Sequence, residues 1–167
     1  MKLIERVFIL HLLLATALLA IAYALGGSLE IAYGMILVGA FWFYTNRRNA
    51  HGMESLLFMT FTVASAALFY WFKAPGWMPL FAVVAALGAW DLDYFLQRLK
   101  IVTHEGPSPR LGIEHLRRLA LAEGLGLLLG IIGLTLHTQI SFWVALALAL
   151  LAAIALSRLI AFLRKEI

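Results

Sequence analysis

Residues 88–100 have the sequence Gly-Ala-Trp-Asp-Leu-Asp-Tyr-Phe-Leu-Gln-Arg-Leu-Lys, in which two carboxylates and then two cations follow a long apolar stretch. The stretch begins near residue 77 and has the length of a membrane-spanning helix. An aspartate at the centre of a membrane costs about 2.5–3.5 kcal/mol on insertion scales, so such a residue normally has a partner or a function. Asp91 and Asp93 are therefore the first candidates for a buried-charge site.

The composition excludes the soluble classes of protein. Of the 167 residues, 63% are hydrophobic and 13% are charged, and the mean hydropathy is +0.94. Soluble domains carry about 25% charged residues. The absence of cysteine excludes disulfides, thiolate metal sites and cysteine nucleophiles.

The apolar stretches predict an all-α integral membrane protein, a single transmembrane domain over residues 1–167. Gly26-Gly27-Ser28 and Lys73-Ala74-Pro75-Gly76 are typical of tight turns, and a longer loop is expected at about 97–112. The predicted bundle has six transmembrane helices, at about 7–25, 30–45, 55–72, 77–95, 119–136 and 141–163.

The distribution of cations predicts the orientation. Of the 13 lysines and arginines, all except Lys73 lie at the two ends of the chain or in the second and fourth loops. Cytoplasmic loops carry the excess of Lys and Arg, so both termini are expected in the cytoplasm. The same rule explains the high pI without nucleic acid, and it favours a multi-pass protein of a cell (plasma) membrane.

The two aspartates are two residues apart, so on a helix their side chains diverge by roughly 200°. Asp93 shares a face with small residues, namely Ala82, Ala86 and Ala89, which favours a helix–helix contact. Asp93 is therefore the better candidate for a carboxylate buried among helices. The alternative is that either aspartate pairs with an arginine at the inner interface, for instance Arg98 or Arg118.

Glu123 is the second carboxylate expected at membrane depth. Helical spacing places it on one face with Gly126, Gly130, Gly133 and His137, and Gly126 and Gly130 form a GxxxG pair. This face could line a polar path. The simpler alternative, which the frequency of GxxxG in membrane helices favours, is a packing groove in which Glu123 pairs with an arginine and His137 lies in the outer interface.

The remaining candidates are cations and histidines near the inner side. Arg158 could extend to the lipid headgroups or neutralise Asp93 or Glu123. His104 and His115 could approach a carboxylate, but no zinc-protease spacing is present, and no metal or cofactor is assigned. Trp42 is expected in an aromatic belt at the membrane interface. The candidate buried-charge cluster is Asp91, Asp93, Arg98, His115, Arg118, Glu123 and Arg158, with no catalytic residue assigned.

In gross architecture the predicted bundle is similar to the substrate-binding membrane subunits of energy-coupling-factor vitamin importers. Six helices, cytoplasmic termini and the length carry this resemblance, and Ala20 and Ala24 match their alanine-rich first helix. The resemblance extends to no binding motif, and a shared fold does not imply a shared function. No family is therefore assigned.

Three functions remain open. The absence of a catalytic signature favours a non-enzymatic subunit or accessory module, which acts through a protein partner or a second copy of the chain within the lipid bilayer. The alternative is a transporter of a small solute, ion or proton that uses Asp93 and Glu123. A third possibility is an enzyme that acts on lipid at the inner interface, with Asp91, Asp93 or Glu123 as acid–base groups.

Overall fold

The computed structural model describes residues 2–48, 52–72, 75–102 and 109–135. These residues form five α-helices, which are α1 (Lys2–Leu25), α2 (Leu29–Arg48), α3 (Glu54–Trp71), α4 (Trp77–Val102) and α5 (Pro109–Thr135). Helices α1, α3, α4 and α5 each contain a stretch long and apolar enough to cross a membrane. The predicted all-helical class is confirmed for these residues. The sixth predicted span, at 141–163, lies outside them.

The turn between α1 and α2 is closed by a glycine in the left-handed region. Gly27 has φ 81°, its N–H donates to Ala24 O at 3.1 Å, and the Ser28 N–H donates to Tyr23 O at 2.9 Å. This pair of bonds is the Schellman arrangement, which ends a helix by satisfying its last carbonyls. The turn predicted from Gly26-Gly27-Ser28 is confirmed.

Successive helices run in opposite directions along the bundle. Ile4 near the start of α1 lies against Gly112 near the start of α5, while Trp42 near the end of α2 reaches α4 near its own end. At the other end, Tyr23 of α1 packs against Phe72, which follows α3. One end of the bundle thus holds the starts of α1, α3 and α5 and the ends of α2 and α4. We call it the charged end, because exposed Arg6, Arg47, Arg48, Arg98, Arg117 and Arg118 lie there.

Helices α4 and α5 are longer than the predicted spans. The loop expected at 97–112 is helical at 97–102 and again from Pro109. Residues 97–102 contain no glycine or proline, and Gln, Arg, Leu and Lys are good helix formers. Pro109 is the first residue of α5, a position where the missing N–H would have no partner within the helix anyway.

Helix α1 lies at the centre of the described bundle and packs against α2, α3 and α4. Its buried face consists of residues spaced three or four apart, which are Ile4, Phe8, Leu12, Ala15, Leu19 and Ala22. The small residues Ala82, Ala86 and Ala89 of α4 are fully buried. This arrangement lets the α4 backbone approach its neighbours closely.

The contact between α1 and α2 depends on a glycine. A Cβ atom placed on Gly39 of α2 would lie 2.8 Å from the Thr16 Cγ2 of α1, and closer still to its Oγ1. Rotation of the Thr16 side chain away from residue 39 would break the hydrogen bond that its hydroxyl donates to Leu12 O at 2.8 Å. The two helices approach closely here because residue 39 has no side chain.

We expect Gly39→Ala to destabilise the protein, because overpacking a close contact costs about 1–3 kcal/mol. Gly34→Ala is the matched control on the same helix, since a Cβ there meets nothing within 4 Å and alanine favours the helix by up to about 1 kcal/mol. Thermal unfolding in detergent should give a lower midpoint for Gly39→Ala and an unchanged or higher one for Gly34→Ala. Equal midpoints for the two variants would contradict the close approach at Gly39.

Candidate functional site

Asp93 is held between α2 and α4 by three neutral donors. Its side chain is 2% exposed. Trp42 Nε1 donates to Oδ2 at 2.9 Å, and Asn46 Nδ2 and Gln97 Nε2 donate to Oδ1 at 2.6 and 3.1 Å. We call this group the Asp93 clamp. Both carboxylate oxygens are engaged inside the bundle, so the clamp joins two helices and presents no free oxygen of Asp93 to a ligand.

Helical spacing explains how the clamp forms. Trp42 and Asn46 are one turn apart on α2, and Asp93 and Gln97 are one turn apart on α4, so each pair lies on one face of its helix. Trp42 is fully buried, with its ring edge-on to Phe61 at a centroid distance of 5.5 Å. The aromatic-belt prediction for Trp42 is wrong, because its indole N–H has a buried acceptor in Asp93.

Asp91 lies on another side of α4 and contacts α5. Its Oδ2 is 2.7 Å from His115 Nε2, in an orientation outside that of a hydrogen bond. The imidazole stacks on Phe95, with ring centroids 3.9 Å apart and planes 3° apart. Both side chains keep partial exposure, 23% for His115 and 36% for Asp91. The contact between Asp91 and His115 lies near the charged end. The third function, an enzyme that acts on lipid, stays a prediction.

The predicted arginines do not pair with the buried carboxylates among the described residues. Arg98 donates to the Tyr94 hydroxyl and lies over that ring, with its guanidinium carbon 4.5 Å from the centroid. Arg118 is exposed on α5. Arg158, His104 and His137 lie outside the described residues.

Glu123 meets a residue that the predicted cluster does not contain. His11 Nε2 of α1 lies 3.3 Å from Glu123 Oε2, in a hydrogen bond, and 3.1 Å from Oε1. The other ring nitrogen, Nδ1, is 2.8 Å from Val7 O. Both side chains are mostly buried, with 19% of His11 and 16% of Glu123 exposed. We call His11 and Glu123 the α1–α5 pair.

Gly88 of α4 makes room for the α1–α5 pair. A Cβ atom on Gly88 would lie 2.5 Å from His11 Cδ2 and would overlap Glu123 Oε1. Three helices therefore meet at this point, and one of them contributes only backbone. Gly88 and Asp93 are five residues apart on α4, which separates them by about 7.5 Å along the helix axis and by about 140° around it. Asp93 and Glu123 consequently lie in separate helix interfaces and do not form the one cluster that the sequence suggested.

The face that α5 turns toward the bundle differs from the predicted glycine face. Gly112, Leu119, Glu123 and Gly130 lie toward the other helices, with Gly130 against the Leu80 side chain. A Cβ atom on Gly126 or Gly133 would meet nothing within 4 Å among the described residues. The predicted GxxxG packing is therefore not seen in this part of the chain, because Gly126 is rotated away from the face that carries Glu123.

Sequence reasoning missed His11, Asn46 and Gly88. His11 had a usable signal, since an ionisable side chain nine residues into an apolar helix is a candidate for function by default. Asn46 and Gly88 had none, because amides near helix ends and glycines in apolar helices are common. Within the described residues, no group of three or more His, Asp or Glu side chains could hold a metal ion.

Comparisons of the chain with protein-family models, curated proteins and solved structures find no match.

We expect Asp93→Leu to destabilise the protein much more than Asp91→Leu. The first change removes the acceptor of the fully buried Trp42 N–H, and a buried donor left unsatisfied costs about 1–3 kcal/mol. It also removes a hydrogen bond from each of the half-buried Asn46 and Gln97 amides. The second removes a partly exposed contact, which is normally worth about 1 kcal/mol or less. Thermal unfolding of both variants in detergent is the measurement. Equal losses, or a larger loss for Asp91→Leu, would contradict the structural role of the Asp93 clamp.

Proposed function

We propose that the chain is a multi-pass protein of a cell membrane that acts as a non-enzymatic subunit or accessory module. Its outer helix faces would bind partner helices, either of another protein or of a second copy of the chain. In this proposal the charged end lies in the cytoplasm, where loops carry the excess of Lys and Arg.

One observation supports a module more than a protein that binds a polar ligand. The carboxylates of Asp93 and Glu123 both have their partners inside the bundle. The Asp93 oxygens accept three hydrogen bonds from the chain itself, and Glu123 contacts His11. A groove of about 330 Å³ between α1 and α2 is lined by apolar side chains and Thr16. Thr16 already donates to Leu12 O, so the groove offers little for recognition of a polar solute.

The charged end has features that suit a membrane interface. Arg47 lies over the Phe43 ring at 5.1 Å and Arg48 over the Tyr44 ring at 5.3 Å, each one helical turn apart on α2. Aromatic rings and arginines are the residues that position helices at lipid headgroups. These pairs support the bilayer as the medium and the charged end as the headgroup side.

Site-specific photo-crosslinking in native membranes tests the module. A photoreactive residue at exposed positions such as Leu37 of α2 and Leu125 of α5 should give a discrete adduct heavier than the chain, and the adduct partner should co-purify in mild detergent. The buried Leu12 and Leu19 positions of α1 are the controls, and they should give no such adduct. A monodisperse monomer, with products of monomer mass at every exposed position, would overturn the proposal.

Transport of a proton or cation is the second candidate, and the α1–α5 pair favours it. An ionisable pair between three helices, nine residues inside the first span, is typical of proton relays. Asp93 fits this role less well than the sequence suggested, because three donors occupy it.

Flux measurements in proteoliposomes test transport. If the chain carries protons or cations, Glu123→Gln should abolish flux, while Asp93→Asn, the matched control in the other interface, should retain flux in proportion to folded protein. Flux that is unaffected by Glu123→Gln, or no flux above empty liposomes for the parent protein, would remove the transport candidate.

A further inference from the structure

We propose that the α1–α5 pair is a binding site for one proton, and that this proton fastens α5 to the rest of the bundle. The proposal concerns proton binding at His11 and Glu123 and does not depend on the proposed module or on transport. It rests on the arrangement of donors and acceptors, on the clearance at Gly88 and on how little of α5 is buried against the other described helices.

The hydrogen bond to Val7 fixes the tautomer of His11. A backbone carbonyl oxygen can only accept, so Nδ1, at 2.8 Å from Val7 O, carries a hydrogen and donates it. In the neutral imidazole the other nitrogen then has a lone pair and no hydrogen. Nε2 is the atom that faces Glu123.

The contact between Nε2 and Glu123 therefore requires a proton from elsewhere. An ionised carboxylate is an acceptor only, so a neutral His11 and an ionised Glu123 would place lone pairs against each other at 3.1 and 3.3 Å. One added proton removes this repulsion, whether it resides on Nε2 or on the carboxyl group. The pair thus holds together with the proton and separates without it.

The surroundings keep the pair in contact. Gly88 closes one side with backbone, and Glu123 Oε1 is buried with no aligned hydrogen-bond donor among the described residues. Oε1 therefore has almost no exposed surface through which water could donate to it in place of the shared proton. The carboxylate can occupy this position because residue 88 has no side chain, since a methyl group there would overlap it.

Helix α5 is mostly exposed in the described bundle. Only 6% of its membrane-length stretch is buried in the described bundle. Its apolar contacts include Gly112 with Ile4 and Gly130 with Leu80. The other titratable or charged groups on the described parts of these three helices include Lys2, Glu5, Arg6 and Tyr23 of α1, Asp91, Asp93, Tyr94 and Arg98 of α4, and Glu114, His115, Arg117 and Arg118 of α5. Among them, Asp91 and His115 form a second contact between α4 and α5, about 12 Å nearer to the charged end along α5. Loss of the proton between α1 and α5 should consequently loosen α5.

Disulfide trapping tests the proposal directly, because the chain contains no cysteine. Cysteines at Ile4 and Gly112 report the α1–α5 contact, where a Cβ on Gly112 would lie 2.8 Å from Ile4 Cδ1. Cysteines at Gly26 and Phe72, where the corresponding distance to Phe72 Cδ1 is 3.3 Å, report a contact that does not involve α5. The measured quantity is the disulfide yield of the Ile4–Gly112 pair divided by that of the Gly26–Phe72 pair. This ratio corrects for the pH dependence of thiol oxidation, which affects both pairs.

The ratio for the parent protein should fall several-fold as the pH is raised from about 6 to about 10, because alkaline conditions remove the shared proton. Glu123→Gln should keep the ratio high at every pH, because the amide N–H₂ can donate to Nε2 without an added proton. His115→Phe keeps an aromatic ring against Phe95 and removes the titratable contact with Asp91. The disulfide ratio of this variant should therefore fall with pH as the parent's does.

Four results would overturn the proposal. For the parent or for His115→Phe, the contradicting result is a disulfide ratio that does not change with pH. For Glu123→Gln, it is a ratio that falls with pH as the parent's does, or one that is low at every pH. The Gly26–Phe72 yield in each background shows whether the variant has folded. As a second measurement, the thermal midpoint of the cysteine-free parent in detergent should drop more at alkaline pH than that of Glu123→Gln.

Discussion

The Asp93 carboxylate has to find its hydrogen-bond partners inside the helix bundle, and much of the described structure is arranged so that it does. A buried acceptor without a donor is costly, and lipid supplies none. Trp42, Asn46 and Gln97 supply three donors at 2.6–3.1 Å. Two of the donors come from α2 and one from α4. The hydrogen bonds therefore fix both the rotation of α4 about its own axis and the position of α2 along the bundle. The same rotation buries the alanines of α4 and turns Gly88 toward α1 and α5.

Glycines of the neighbouring helices lie opposite the polar side chains of the central helix. Thr16 of α1 lies against Gly39 of α2, and His11 of α1 lies against Gly88 of α4. In each case the polar side chain fills the space that a methyl group would need. In membrane proteins, small residues at helix interfaces let the backbones approach closely. In this protein the small residues also decide where polar groups can be enclosed.

The two deep carboxylates are satisfied in chemically different ways. Asp93 accepts from neutral amide and indole donors, so its contacts need no titratable partner. Glu123 faces an imidazole whose remaining nitrogen has no hydrogen of its own in the neutral form. The first arrangement suits a permanent junction between α2 and α4. The second suits a junction between α1 and α5 that responds to protons, and α5 is the helix with little other burial in the described bundle.

The sequence by itself determined the features that depend on neighbours along the chain. Hydropathy predicted the described helices, Gly26-Gly27-Ser28 predicted the first turn, and a spacing of two residues predicted that Asp91 and Asp93 face different surroundings. These are local properties, fixed by helical periodicity and turn chemistry. The tertiary structure decided which groups meet, so Asp93 has Trp42 and Asn46 where an arginine was expected, and Glu123 has His11. Whether two such side chains meet depends on the rotation of each helix about its axis and on its position along the bundle. Both are decided by packing between residues that are far apart in the chain.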